Sequence, residues 1–132
     1  MLFVHVRAGV SKIHGIGLIA QERIPAGTRV WVFQPGFDVV LSADQLAGLA
    51  EPARTQALHY TWYDKEHGGY ILAGDDDRFT NHSDDPNTRW DGKFTFAVRD
   101  IQAGEEVTFD YRELDGTDHV GWEQAARNRV AT

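Results

Sequence analysis

Cysteine is absent from all 132 residues, which removes disulfides, thiolate metal sites and cysteine nucleophiles together. Long apolar runs are missing too. The N-terminal MLFVHVR is broken by His5 and Arg7 before a signal-peptide core could form, so a soluble, unexported protein with no membrane partner is expected. Basic residues are outnumbered, 13 against 20 acidic ones, and the formal charge of −7 argues against nucleic acid and for a basic partner. What remains is an ordinary globular mixture, 42 % hydrophobic and 25 % charged, of a length that makes one domain with a real core.

Leu2, Val4 and Val6 alternate with Phe3, His5 and Arg7, the period of a half-buried strand. Residues 8–17 then lose the pattern around Gly9, Gly15 and Gly17 and read as irregular. RVWVF at 29–33, YILA at 70–73, KFTFAV at 93–98 and VTFDY at 107–111 predict further strands. Ser42 with Gln45 resembles a capping box and predicts a helix over 42–50, and Pro52 suits the first turn of a second helix running to Tyr60. The fold class is mostly β with a few short helices.

ERIPAGTRV (22–30) is echoed by RDIQAGEEV (99–107), with Ile, Ala-Gly and Val in register. In each, an inward Ile precedes a positive-φ Gly, and the chain re-enters a strand at Val. HGIGL brings Gly15 and Gly17 together, able to present backbone amides to a ligand, but no G-x-G-x-x-G follows, so a Rossmann or kinase phosphate loop is disfavoured. The run Asp75 to Asp77 lacks the central Gly and late Glu of a calcium loop and reads as a solvated acidic loop. His82-Ser83-Asp84 spells H-x-D, which with His119 would make the two-histidine, one-carboxylate face of a non-haem iron site, with Arg129 for a 2-oxoglutarate carboxylate. His119 lies in DGTDHVG, which has no strand pattern, and a jelly-roll oxygenase ordinarily needs more chain. Tyr111, taken alone, reads as a half-buried aromatic at the rim of the core.

In order along the chain, HGIGL with ERIPAGTRV, then RFTNHSDDPN, then RDIQAGEEVTFDY resemble a SET-domain protein-lysine methyltransferase over roughly residues 3–112. The resemblance implies one SET domain over 1–132, a β-clip-like fold with a pseudoknot-like C-terminal core, an insert at 37–69 that largely sets substrate choice, and a tail at 113–132 closing the pocket. It implies S-adenosyl-L-methionine as cofactor, Gly15, Ile16 and Gly17 beside its methionine portion, and Asn81 and His82 lining it. Tyr111 matches the catalytic tyrosine. Phe109 stands where a Phe or Tyr influences how many methyl groups are added, and Tyr70 matches the aromatic of the lysine channel.

Relatives often carry Cys where Asp84 stands and use it with a cysteine-rich tail to bind zinc, so here no metal is expected. Trp122 is the candidate lid over the cofactor or the lysine channel, or equally an anchor for a short tail helix. VFQPG at 32–36 matches the family's acidic-aromatic-x-Gly only loosely. The implied partner is a protein with a basic, lysine-containing segment, in the cytoplasm or in the nucleus of a eukaryote, with a homodimer as one way to complete the groove. Two other readings stay open: a catalytically silent SET-like module that binds a basic peptide, and the iron oxygenase.

Overall fold

The computed structural model describes residues 1–114. Among these residues, ten short strands form three small sheets: β1 (Val6–Val10), β2 (Ile16–Ala20), β3 (Arg29–Val32), β4 (Val39–Leu41), β5 (Trp62–Asp64), β6 (Gly69–Leu72), β7 (Asn81–His82), β8 (Thr88–Trp90), β9 (Phe94–Ala97) and β10 (Glu106–Phe109). Two helices, α1 (Ala43–Ala47) and α2 (Glu51–Tyr60), and two 3-10 turns, Asp76–Phe79 and Tyr111–Glu113, complete the order. Mostly β with few short helices is thus the observed class. Among the described residues, no helix is long and apolar enough to cross a membrane.

The sheets run β1-β2-β10-β7, β3-β9-β8 and β4-β6-β5. β10 lies between elements distant in sequence, antiparallel to β2 through Glu106↔Ile19 and Val107↔Leu18, and parallel to β7 through Thr108↔Asn81 and Phe109↔His82. The strand at 106–109 is thereby inserted between strands made by residues 16–20 and 81–82, bringing together the segments that the resemblance joins in its C-terminal core.

The two echoed segments meet each other. Ile24 and Ile101 exchange both backbone hydrogen bonds at 2.8 Å, and both side chains are fully buried. Gly27 (φ 85°) and Gly104 (φ 89°) make the turns, and their N–H groups donate to Ala97 O (2.7 Å) and Ala20 O (2.8 Å). The main core gathers around this pair from Leu18, Ala20, Val30, Ala97 and Val107, with Leu2, Val4 and Val6 packed against it.

Residues 8–17 are irregular only over 11–15; 8–10 and 16–17 are strand. They form the hairpin of β1 and β2, with Gly9 opposite Gly17 and Ser11 N–H closing on Gly15 O at 2.8 Å. Two facing glycines erase the alternation that reveals a strand, although a Cβ on Gly9 would come within 2.8 Å of Ile19 Cγ1, so close packing needs the gap. The first strand accordingly starts at Val6 rather than Leu2, which makes only an isolated bridge to Trp31.

The acidic run is also not a solvated loop. Asp75 accepts from Leu2 N–H (2.8 Å) and Asp76 from Ala8 N–H (3.1 Å), so these carboxylates staple the N-terminal segment to the 3-10 turn that precedes β7. In the insert, Ser42 and Gln45 form the full capping box on α1, which ends at Gly48. α2 has Pro52 in its first turn and no buried residue, and β4, β6 and β5 form their own sheet beside it. VTFDY stops pairing at Phe109, where Asp110 caps the turn that carries Tyr111.

Candidate active site

Asn81 occupies β7 and is 4 % exposed. Its Nδ2 lies 3.2 Å from Ser11 Oγ, 3.0 Å from His14 O, 3.1 Å from Ile16 O and 2.9 Å from Glu106 Oε2. Two amide hydrogens shared among four acceptors tie the hairpin loop to β10. Glu106 completes the tie by accepting from Ser11 Oγ at 2.6 Å. Gly17 leaves room for that carboxylate, because a Cβ there would stand 2.5 Å from Glu106 Oε2.

A pocket of about 120 Å³ opens between this loop and the end of α2. His14, Gly15 and Ile16 form one wall, Asn81 and Phe79 the floor, and His59 and Tyr60 the far side. Tyr60 meets Phe79 edge-to-face at 5.5 Å between ring centroids, giving the pocket an aromatic corner. Gly15 holds φ 50°, a left-handed turn that lets the loop bend into the wall.

Tyr111 is buried and gripped at both ends by residues that flank Asn81. Its hydroxyl donates to the carbonyl of Thr80. Its backbone N–H donates to His82 Nδ1 at 3.0 Å, and the two rings stand 5.3 Å apart. His82 does not appear in the pocket wall; its other nitrogen lies 2.7 Å from Asp84 Oδ1. Phe109 is 8 % exposed on β10, level with His82 in the parallel pairing.

Arg112 holds Asp110 through two nitrogens at 2.7 and 2.9 Å, and this pairing keeps the Asp110 carboxyl below the usual range. Beneath the site, Thr80 Oγ donates to Asp77 O at 2.7 Å. Burial, reinforced by Asp75, pushes the Asp77 carboxyl up to about 7.

The structure therefore brings Gly15, Ile16 and Asn81 together in one pocket and places Tyr111 one residue away from its floor. Tyr70 sits on β6, outside that wall, edge-to-face with Tyr63 at 5.4 Å. Trp122, like His119 and Arg129, lies outside the described residues. Sequence reasoning missed His14, His59, Tyr60 and Thr80. Thr80 contributes a backbone carbonyl, which leaves no side-chain signal, whereas Tyr60 ends a helix with no buried face and could have been flagged for that reason.

The sequence profile of the SET domain matches residues 15–112. A stretch of 58 residues is 43 % identical to the histone-lysine N-methyltransferase, H3 lysine-9 specific, KMT1 of Fusarium mangiferae, covering 35 % of this chain and 16 % of that protein. The chain thus spans about a sixth of the length of this curated relative. Among solved structures, a Plasmodium falciparum protein described as a histone methyltransferase superposes with a TM-score of 0.59 at 18 % identity, over 82 % of this chain and 93 % of that one. A humanized mutant of the Chaetomium thermophilum Polycomb Repressive Complex 2 gives 0.60 at 23 % identity, over 87 % of this chain and 16 % of that one. At such identities the two structures speak to the fold. With the profile running from the glycine loop to the turn after Tyr111, the chain belongs to the SET-domain family, that of the protein-lysine methyltransferases its motifs resemble.

Proposed function

We propose that this chain is a protein-lysine N-methyltransferase that uses S-adenosylmethionine. The observation that carries the reading is the arrangement around Asn81: its neighbours Thr80 and His82 hold the two ends of Tyr111, while Asn81 itself forms the floor of the pocket. The pocket residues fit the cofactor. Ile16, Phe79 and Tyr60 offer apolar and aromatic surface to a sulfonium, and the loop 14–16 presents backbone groups held in place by Asn81.

When bound, S-adenosylmethionine supplies a methyl group on a positively charged sulfur. The residues of the chain do the rest by positioning, since in-line displacement depends on alignment and alignment alone can lower a barrier by several kcal/mol. Asn81 and Glu106 fix the loop against β10. The Tyr111 hydroxyl, a donor to the Thr80 carbonyl, acts by orienting and polarising rather than as a general base. A substrate lysine, with a reference pKa of about 10.4, gives its proton to water, a loss favoured by an apolar channel and a nearby cation. Buried Phe109 excludes water and leaves room for more than one methylation. Tyr70, paired with Tyr63, receives the ammonium before it deprotonates.

The proposed substrate is a Lys/Arg-rich protein segment, as a histone tail would provide, and the charge of −7 favours its approach. The same proposal places the protein in the cytoplasm, or in the nucleus of a eukaryotic cell, with a homodimer to complete the peptide groove. Calorimetric titration with S-adenosylmethionine and S-adenosylhomocysteine tests the reading before any substrate is known. Saturable binding at one site per chain, followed by methylation of a basic peptide, is expected. Binding without transfer would make the chain a silent peptide-binding module, and no heat with either ligand would overturn the cofactor assignment.

A further inference from the structure

The pair His82 and Asp84 is left over from the account of the pocket, since neither lines it and both are polar. The direction of the hydrogen bonds constrains the ring. Tyr111 N–H can only donate, so His82 Nδ1 accepts it at 3.0 Å, and a neutral ring then carries its proton on Nε2. Nε2 faces Asp84 Oδ1 at 2.7 Å, an acceptor for that proton.

Among the described residues, Asp84 and Asp110 face this ring and Arg112 pairs with both carboxylates. Asp110 Oδ1 stands 3.7 Å from His82 Nδ1, on the side where Tyr111 N–H also approaches. If the ring placed its proton on Nδ1, it would lose Tyr111 and turn toward Asp110. Arg112 opposes this by engaging Asp110 through Nε and Nη2, while the same Nη2, 3.4 Å from Asp84 Oδ1, holds that carboxylate near the ring's Nε2. The consequence is mechanical. Tyr111 is held at its backbone by His82 and at its hydroxyl by Thr80, so turning the ring releases the backbone grip.

We propose that Asp84 is a positioning residue for Tyr111, acting through His82 by holding the imidazole with its proton on Nε2. Asp84 touches neither pocket nor phenol, and in this cysteine-free chain a carboxylate at that place gives the loop a role in the site that needs no metal. The part of the inference that concerns rate rests on the methyltransferase reading. The part that concerns the ring does not.

The experiment uses the full chain labelled with ¹⁵N, with Asp84→Ala, Asp84→Asn and, as a matched control on the same exposed loop, Asp85→Ala. The Asp84 side chain is 82 % exposed and that of Asp85 96 %, so all three are expected to fold, and a thermal melt checks it. Long-range ¹H–¹⁵N spectra report which ring nitrogen of His82 carries the proton, and amide exchange reports the Tyr111 N–H. The wild type, Asp84→Asn and Asp85→Ala should show the proton on Nε2 and a protected Tyr111 amide, because an Asn carbonyl still accepts from Nε2. Asp84→Ala should show averaged ring signals and roughly fivefold faster exchange at Tyr111, in keeping with the modest strength of an exposed pair. Turnover should fall by a similar factor with cofactor affinity unchanged, and Asp84→Asn should restore it. An unchanged His82 ring and Tyr111 amide in Asp84→Ala would overturn the proposal. If the wild type transfers no methyl group, the enzyme reading fails, yet the ring and amide signals still decide the role of Asp84.

Discussion

The phenol of Tyr111 donates its hydrogen bond to the main-chain carbonyl of Thr80, thirty-one positions earlier in the chain and directly before the residue that floors the pocket. A side chain that is catalytic by resemblance is thus oriented by backbone, which substitution at Thr80 cannot easily remove.

Tyr111→Phe should therefore separate positioning from packing. The ring stays buried, and the loss of one hydrogen bond costs about 1 kcal/mol of stability. Methyl transfer should fall by about a hundredfold or more, as when an aligned polar donor is removed from a reacting centre, with cofactor binding retained. Comparing the melting temperature, the binding isotherm and the rate decides it, and an unchanged rate would take Tyr111 out of the mechanism.

Asn81 can be tested by charge as well as by truncation. Asn81→Ala leaves Glu106, Ser11 and two loop carbonyls without their shared donor, and about 2–3 kcal/mol of stability should go with it, along with cofactor affinity. Asn81→Asp should be worse at neutral pH although it is nearly isosteric. It would set a second carboxylate beside Glu106 Oε2, now 2.9 Å from Nδ2, and the two could not both ionise cheaply. Acidification should partly rescue the Asp variant and leave the Ala variant unmoved, as read by denaturant melts at two pH values.

The two glycines of the loop make different predictions. At Gly17 an added Cβ would meet Glu106 Oε2 at 2.5 Å, and that carboxylate is already fixed by Ser11 and Asn81, so Gly17→Ala should cost about 1–3 kcal/mol and disturb the pocket. At Gly15 nothing lies within 4 Å of the new atom, and only the left-handed backbone resists, at about 1 kcal/mol. Chemical denaturation of both variants checks the order.

Asp77 sets a pH dependence. The folded protein keeps this proton up to about pH 7, whereas a free carboxyl gives it up near its ordinary value of 3.8. Folding thus binds a proton between those values, so the stability tied to this group is full below about pH 4 and is lost as pH rises toward 7. Asp77→Asn should remove that slope and be more stable than the wild type at pH 8 by at most about 4 kcal/mol. Equal slopes in the two proteins between pH 4 and 8 would show that Asp77 titrates normally.

How much of this was legible in the sequence differs from element to element. Ser42 and Gln45 announce α1 because a capping box is local, and β3, β6 and β9 show themselves through β-branched and aromatic alternation. The hairpin of β1 and β2 is hidden because its glycines face each other and what they accommodate, Ile19 and Glu106, lies across the sheet. Asp75 and Asp76 look like solvent-facing charge because their partners, Leu2 N–H and Ala8 N–H, are some seventy residues away. The Ile-x-Ala-Gly echo could be read as two turns, but not as two turns that bind each other. Asn81, His82 and Tyr111 stand out as candidate site residues through resemblance alone; spacing carries no hint that His82 would hold a backbone amide rather than line the pocket.

The threading of β10 between β2 and β7 also bears on when the protein can become active. Parallel pairing with β7 and antiparallel pairing with β2 both wait for residues 106–109, near the end of the described chain. Pairings this far apart in sequence are slow to close. A nascent chain emerging from the ribosome can form the β1–β2 hairpin and the insert sheet early, yet Asn81 has no Glu106 to meet and Thr80 no Tyr111 until residues 106–111 have been made. The pocket consequently forms only after its earlier elements, and the apolar edge of β2 and the polar edge of β7 stay open to chaperones or to misassembly until β10 arrives.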